Sequence, residues 1–345
     1  MTNTEMTNSS MTNSGITNPA EHLRDILIEP APNLFFSRND SADVRMGDLV
    51  LRKMEGYVPE VKIGIVGVPE DEGVRRNKGR VGARRAPTEI RRALYKLTPL
   101  HPDQFPQNDI PALRIFDFGD IREGSTLEET HERLEYAVEI IMEQGIVPIV
   151  LGGGHDISYP NFCGMSRAVD RVGVLNIDAH LDFRPPVPER HSGTSFRLML
   201  EDEHKKLLPA NMVEFGIQPF ANVAEHFEEM VNRGATVLTL DRVRANGCAQ
   251  TFAEALHIAS ANVGRVMVSF DMDAVRSADS PGVSAPSPVG LFAEDMLQAA
   301  FLAGKHSLVQ FIDIAEVNPE YDADGRTAKL AALVVMHFLS GFVQR

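Results

Sequence analysis

Short apolar runs, rich in β-branched residues, alternate with longer amphipathic segments along most of this chain. The runs at 61–68, 113–118, 146–151, 172–177, 211–217, 235–240, 265–270 and 308–314 predict strands. Most are apolar almost throughout rather than at every second position, which indicates burial on both faces, as in a parallel sheet. Between them, helical spacing predicts helices over 86–97, 126–144, 221–233, 250–261 and 293–303, with a closing helix over 325–342. Thr126-Leu-Glu-Glu129 reads as a capping box opening its helix, and Gly145 as its stop. The alternation predicts an α/β fold: a single three-layer domain with a central, mostly parallel eight-stranded sheet flanked by helices. Strand number alone also fits a (β/α)₈ barrel.

Two segments fall outside this pattern. Residues 1–18 repeat Met-Thr-Asn at positions 1, 6 and 11, followed by Ile16-Thr17-Asn18. With little to bury, this tract is expected to be disordered. Residues 19–59, broken by Pro30, Pro32 and Asn33, read as an irregular lead-in to a catalytic domain over 60–345.

Composition narrows the class. The chain has 345 residues, is 43% hydrophobic and 24% charged, and carries a formal charge of −14. That charge argues against nucleic acid as a partner, since phosphate contacts need a basic surface. The two cysteines, Cys163 and Cys248, form no CxxC motif and suit a reducing compartment. With no signal-peptide pattern at the start and no apolar run long enough to span a bilayer, the expected location is the cytoplasm.

The chemistry lies in three clusters: Gly152-Gly-Gly-His155-Asp156, Asp178-Ala-His180-Leu-Asp182 and Asp271-Met-Asp273. They follow the third, fourth and seventh predicted strands, at the carboxyl ends where open α/β sheets place their sites. Residues two apart in a strand face the same way, so Asp178, His180 and Asp182 are expected to converge as the strand runs out, and Asp271 with Asp273 likewise. So many carboxylates at one point repel unless a cation sits among them. Mixed carboxylate and imidazole ligands suit Mn, Fe, Ni or Zn, and the set of His155, Asp178, His180, Asp182, Asp271 and Asp273 is large enough for two ions. Gly152-Gly-Gly154 lacks the spacing of a phosphate cradle and reads instead as close backbone packing. Asp156 is expected to orient the His155 imidazole or its loop.

These clusters resemble the metal-binding signatures of the ureohydrolase family of arginases, agmatinases and formimidoylglutamases, in the same order. Asp313-Ile-Ala-Glu316-Val-Asn-Pro319 resembles a fourth segment of that family, and the likeness runs from about residue 60 to the C-terminus. Within the family, the stretch from Gly67 to Gly82 and His191-Ser192-Gly193-Thr194-Ser195-Phe196-Arg197 look most like the formimidoylglutamase branch. Arginases and agmatinases usually carry histidine where this chain has Ser192, which leaves the proton shuttle unassigned; His191, one place earlier, reads as a loop residue.

The resemblance implies two Mn²⁺ ions, one on His155, Asp178, Asp182 and Asp271, the other on Asp178, His180, Asp271 and Asp273. It implies hydrolysis of N-formimidoyl-L-glutamate to L-glutamate and formamide, as in histidine degradation, with Asp182 and Glu316 catalytic. Two other readings are an arginase, agmatinase or guanidinobutyrase type of ureohydrolase and an inactive metal-binding regulatory protein. A dicarboxylate substrate needs cations. Residues 75–92 hold eight arginines and lysines and one acid, Glu89. The expected substrate contacts are Arg75, Arg76, Asn77, Arg184 and Arg197. The expected partners are a small-molecule substrate and further copies of the same chain, with no nucleic acid and no membrane.

Overall fold

The computed structural model describes residues 23–52, 60–99 and 109–345. The repeat tract expected to be disordered lies outside the described residues. Among the described residues the sheet has nine strands rather than eight: β1 (Leu27–Ile28), β2 (Ile63–Gly67), β3 (Ile115–Ile121), β4 (Val147–Leu151), β5 (Val172–Ile177), β6 (Met212–Ile217), β7 (Thr236–Thr239), β8 (Arg265–Asp271) and β9 (Val309–Ala315). Their order is β1-β3-β2-β4-β9-β8-β5-β6-β7. The extra strand is a two-residue edge from the lead-in, paired antiparallel with β3. It is too short to carry any period, which is why the pattern missed it. Every other pairing is parallel. The sheet is open, so the barrel alternative does not apply.

Alternate side chains of each central strand enter different cores, giving three layers. Ile149, Leu151, Leu175 and Ile177 pack with helices Ala86–Leu94, Cys248–Ala259, Ala293–Lys305 and Arg326–Phe342. Val150, Val172 and Val174 pack with helices Leu127–Glu143 and Ser158–Ala168. This is the burial on both faces that continuous apolar runs imply. Helix Leu127–Glu143 starts where the capping box places it, with the Thr126 side chain accepting from the Glu129 amide. It is followed by Gly145 at φ 73°.

The strand order positions the site. β4, β9, β8 and β5 are adjacent, although they are far apart in sequence. Their carboxyl ends therefore form one contiguous rim, and each is followed by a chemistry-bearing loop.

Candidate metal centre

His155 follows β4 in a short 3₁₀ turn at 155–157, after the three glycines. Gly153 must be glycine because a Cβ there would lie 1.8 Å from the Glu70 carbonyl oxygen. The backbone thus packs closely beside the imidazole, as the sequence suggested. β5 ends at Ile177, so Asp178, His180 and Asp182 sit in the loop beyond it. Their convergence comes from that loop, not from strand alternation. Asp182 takes φ 41°, an uncommon conformation for a residue with a side chain. Asp271 closes β8 and Asp273 lies in the following turn, held where the Asp271 carboxylate accepts the Asp273 amide at 2.7 Å.

These loops bring six side chains into two touching groups. His155 Nδ1 lies 3.1 Å from Asp178, 2.9 Å from Asp182 and 2.9 Å from Asp271. His180 Nδ1 lies 3.5 Å from the other Asp178 oxygen and 3.1 Å from Asp273. Asp178 thus faces both imidazoles. All but His180 and Asp182 are essentially out of contact with water.

The electrostatics call for cations. Burial, then Asp273 and Asp178, push the Asp271 carboxyl well above its ordinary range. Burial likewise raises Asp273 to about 6, with Asp178 adding to the shift. His155 Nδ1 and Asp273 Oδ1 are buried without a hydrogen-bond partner among the described residues. Four carboxylates and two neutral imidazoles carry the charge that two divalent ions would cancel, and the donor set suits Mn²⁺.

The tautomer of His155 is set from behind, and not by Asp156. Ser269 Oγ lies 2.5 Å from Asp313 and 2.9 Å from His155 Nε2. Asp313 also accepts from Ser158 Oγ and Asn161 Nδ2, each at 2.9 Å. With the serine proton on the carboxylate side, Ser269 accepts from Nε2–H, leaving Nδ1 bare and aimed at the carboxylates. Asp156 turns away and pairs with His131 at 2.8 Å. Ser269, Asp313, Ser158 and Asn161 escaped the sequence reading as a set. The alternating Ser269-Phe-Asp271 pattern was the available signal. Asn176 similarly donates to Asp178 at 3.3 Å and to the buried Glu214 at 2.8 Å.

Glu316, just past β9, stands at φ 62° and closes the cavity floor. One carboxylate oxygen accepts the His155 amide at 3.0 Å, and the other is buried without a partner. Burial, then Asp273, push this carboxyl up to about 8. A cation beside it would restore its negative charge.

Beside the cluster opens a cavity of about 320 Å³, lined by Asn77, Lys78, Arg80, Arg184, Ser192 and His226 together with His180, Asp182, Asp271, Asp273 and Glu316. Asn77 bridges its two sides, donating to Ser192 Oγ at 3.0 Å and accepting from Arg184 at 3.2 Å. Lys78 and Arg184 have no ion-pair partner among the described residues, and Lys78 adopts φ 62°. Arg80 stacks over the Tyr321 ring at 4.1 Å and donates to the carbonyl of Ser284 at 2.9 Å. Lys78 lies within the 67–82 stretch and the basic run of 75–92 but was not singled out there, and His226 belongs to no motif.

Three expected substrate contacts lie elsewhere. Arg75 is exposed and held by Glu72 at 2.6 Å. Arg76 binds Glu128 at 2.7 Å and Glu189 at 3.2 Å. Arg197 reaches Glu229 at 2.9 Å, with its guanidinium 4.2 Å above the Phe183 ring. In each case a nearby acid captures the arginine before it can reach the cavity. His191 is also outside the cavity: its Nδ1 accepts from the Gly193 amide at 3.2 Å, capping the turn that presents Ser192.

A family model described as the arginase family matches residues 61–341. The chain is 35% identical over 293 residues to the formimidoylglutamase of Geobacillus sp. (strain WCH70), covering 83% of this chain and 85% of that protein. It is 32% identical over 331 residues to that of Rhodococcus jostii (strain RHA1), covering 91% and 96%. Trypanosoma cruzi formiminoglutamase with Mn²⁺ superimposes with a TM-score of 0.78 at 35% identity, over 92% of this chain and 100% of that one. Formimidoylglutamase from Bacillus subtilis gives 0.82 at 25% identity, over 94% and 98%.

Proposed function

The chain belongs to the arginase family, and from that premise we propose that it hydrolyses N-formimidoyl-L-glutamate to L-glutamate and formamide at a binuclear manganese centre. The observation that carries the choice of substrate is that Lys78 and Arg184, cations with no acidic partner among the described residues, line the same cavity as the carboxylates. A substrate with a cationic amidine at one end and two carboxylates at the other fits that polarity. Agmatine, cationic at both ends, does not.

His155, Asp178, Asp182 and Asp271 would hold one ion, and Asp178, His180, Asp271 and Asp273 the other. When bound, two such ions supply Lewis acidity and lower the pKa of water held between them. The rest falls to the chain itself. Glu316 is buried at the cavity floor with one free carboxylate oxygen, and it would accept a hydrogen bond from the planar amidinium and hold it in place. Asp182, partly open to the cavity, would take a proton and return it to the departing glutamate nitrogen. Arg184 and Lys78 would grip the carboxylates, with Asn77 fixing Arg184 against Ser192.

A homo-oligomer in the cytoplasm completes the proposal. Both cysteines are free, in keeping with a reducing compartment. Among the described residues, no helix is long and apolar enough to cross a membrane. The deciding experiment is a product assay of manganese-loaded protein on formimidoylglutamate, arginine, agmatine and guanidinobutyrate. Formamide and glutamate should dominate. Urea release from agmatine at a matching rate would refute the substrate and leave the family standing.

A further inference from the structure

A second group of metal-ligating side chains converges behind the cavity. Glu70 lies just past β2, His131 on helix Leu127–Glu143, and Asp156 directly after His155. Each offers a ligand atom within 4.8 Å of the other two. Glu70 is 3% exposed, and His131 and Asp156 are 2% exposed. His131 Nε2 and Asp156 Oδ2 are 2.8 Å apart, close to the 2.9 Å between His155 Nδ1 and its carboxylates.

The free valences point to a ligand. Glu70 Oε1 is engaged by the backbone amides of Glu72 and Gly73. Glu70 Oε2 and Asp156 Oδ1 are both buried and have no hydrogen-bond partner among the described residues, and His131 turns Nε2 toward them. The Glu70 and Asp156 carboxyls each offer an oxygen within 4.8 Å of the other, and no arginine or lysine is ion-paired to either among the described residues. Two carboxylates pressed together out of water repel, and either a shared proton or a cation relieves that cost. Two carboxylates and a neutral imidazole match the charge of one divalent ion, and nitrogen with oxygen donors selects the manganese-to-zinc range.

We propose that Glu70, His131 and Asp156 form a further metal site, holding one divalent transition-metal ion in a structural role apart from the catalytic pair. An ion there would tie together the loop after β2, helix Leu127–Glu143 and the turn that aims His155. The backbone is already moulded to the cluster, since a Cβ on Gly73 would lie 2.0 Å from Asp156 Oδ1.

The test is the metal content of full-length protein produced with Mn²⁺, and separately with Zn²⁺, then dialysed at fixed free metal. The wild type is expected to hold one ion more per chain than either Glu70→Gln or His131→Gln. Melting temperature should fall in both variants, and added metal should no longer raise it by the wild-type amount. Equal metal content in the wild type and both variants would overturn the proposal and leave a carboxyl pair sharing a proton. Should neither variant fold, a wild-type content of three ions per chain supports the site and two refutes it.

Discussion

Two clusters of like charge behave in opposite ways in this molecule. The carboxylates at the ends of β5 and β8 are brought together, whereas six of the eight basic residues of 75–92 are drawn to separate acids. Arg75, Arg76, Arg84, Arg85 and Arg92 are paired with Glu72, Glu128, Glu123, Glu320 and Glu89. Arg91 is fully buried, with Nε 2.8 Å from Asp117 and Nη1 2.5 Å from Asp120, and it also donates to the Gly119 carbonyl. In an acidic chain an arginine finds a carboxylate almost anywhere, so a basic run says little about ligands. Carboxylates collected out of water have no such supply of partners, so their assembly implies a cation. Lys78 and Arg184 are informative for the same reason: they line the cavity with no acid attached among the described residues.

The comparison breaks first if the acidic cluster proves dispensable. Asp271→Ala should lower turnover by more than about a hundredfold, beyond what changes to groups behind metal ligands cost. Manganese bound in the cavity should fall with it, measured on the purified variant. Full activity with full metal content would mean that the cluster is not the catalytic centre.

Next in size is the buried arginine. Arg91→Met leaves Asp117 and Asp120 facing each other without a counter-charge, a change that costs about 3–5 kcal/mol when one partner of a buried pair is removed. Denaturant unfolding should show that loss, while the folded fraction keeps its kcat. A fall in kcat without a loss of stability would make Arg91 a functional rather than a structural cation.

A smaller effect separates the two kinds of arginine directly. Arg184→Ala should raise KM for formimidoylglutamate by about tenfold or more, since a charge-assisted hydrogen bond contributes roughly 1.5–3 kcal/mol and about 1.4 kcal/mol is a factor of ten. Metal content should be unchanged. Arg75→Ala, paired only with Glu72 on the surface, should leave KM within about twofold. The reverse ranking in steady-state kinetics would restore the basic run as the substrate clamp.

The smallest expected effect is one of pH. Arg76, by hydrogen bonding and charge, holds the Glu128 carboxyl down to about 2 in the folded protein. A carboxyl lowered on folding stabilises the native state above its ordinary pKa, and that contribution is lost as pH falls toward the folded value. The melting-temperature gap between the wild type and Arg76→Ala should therefore narrow from about pH 5 to pH 2, with chelator present to silence the metal ligands. Glu128 keeps 38% of its side chain exposed, so the gap will be small. A gap constant across that window would show that the ion pair adds nothing.

Much of the fold could be read along the chain because its signals are local. The eight long strands each carry their own apolar run, and the helix at 127–143 carries its own cap and stop. Helix Ser158–Ala168 was missed because its sequence is polar and holds Gly164, a weak helix former, where it nearly touches Val138 of the neighbouring helix. Its buried Ser158 and Asn161 serve Asp313, a contact that no period reveals.

The six ligand types and their order were likewise legible, since carboxylates and imidazoles spaced two apart after apolar runs are a chemical statement in themselves. Sheet order alone decided that β4, β9, β8 and β5 would lie side by side, because strand neighbours are chosen by packing between distant segments. The same long-range choice set which nitrogen of His155 faces the carboxylates and which arginines were captured by glutamates from elsewhere in the chain. Ligand chemistry is carried by single residues, but convergence and pairing depend on distances between segments that the linear order leaves open.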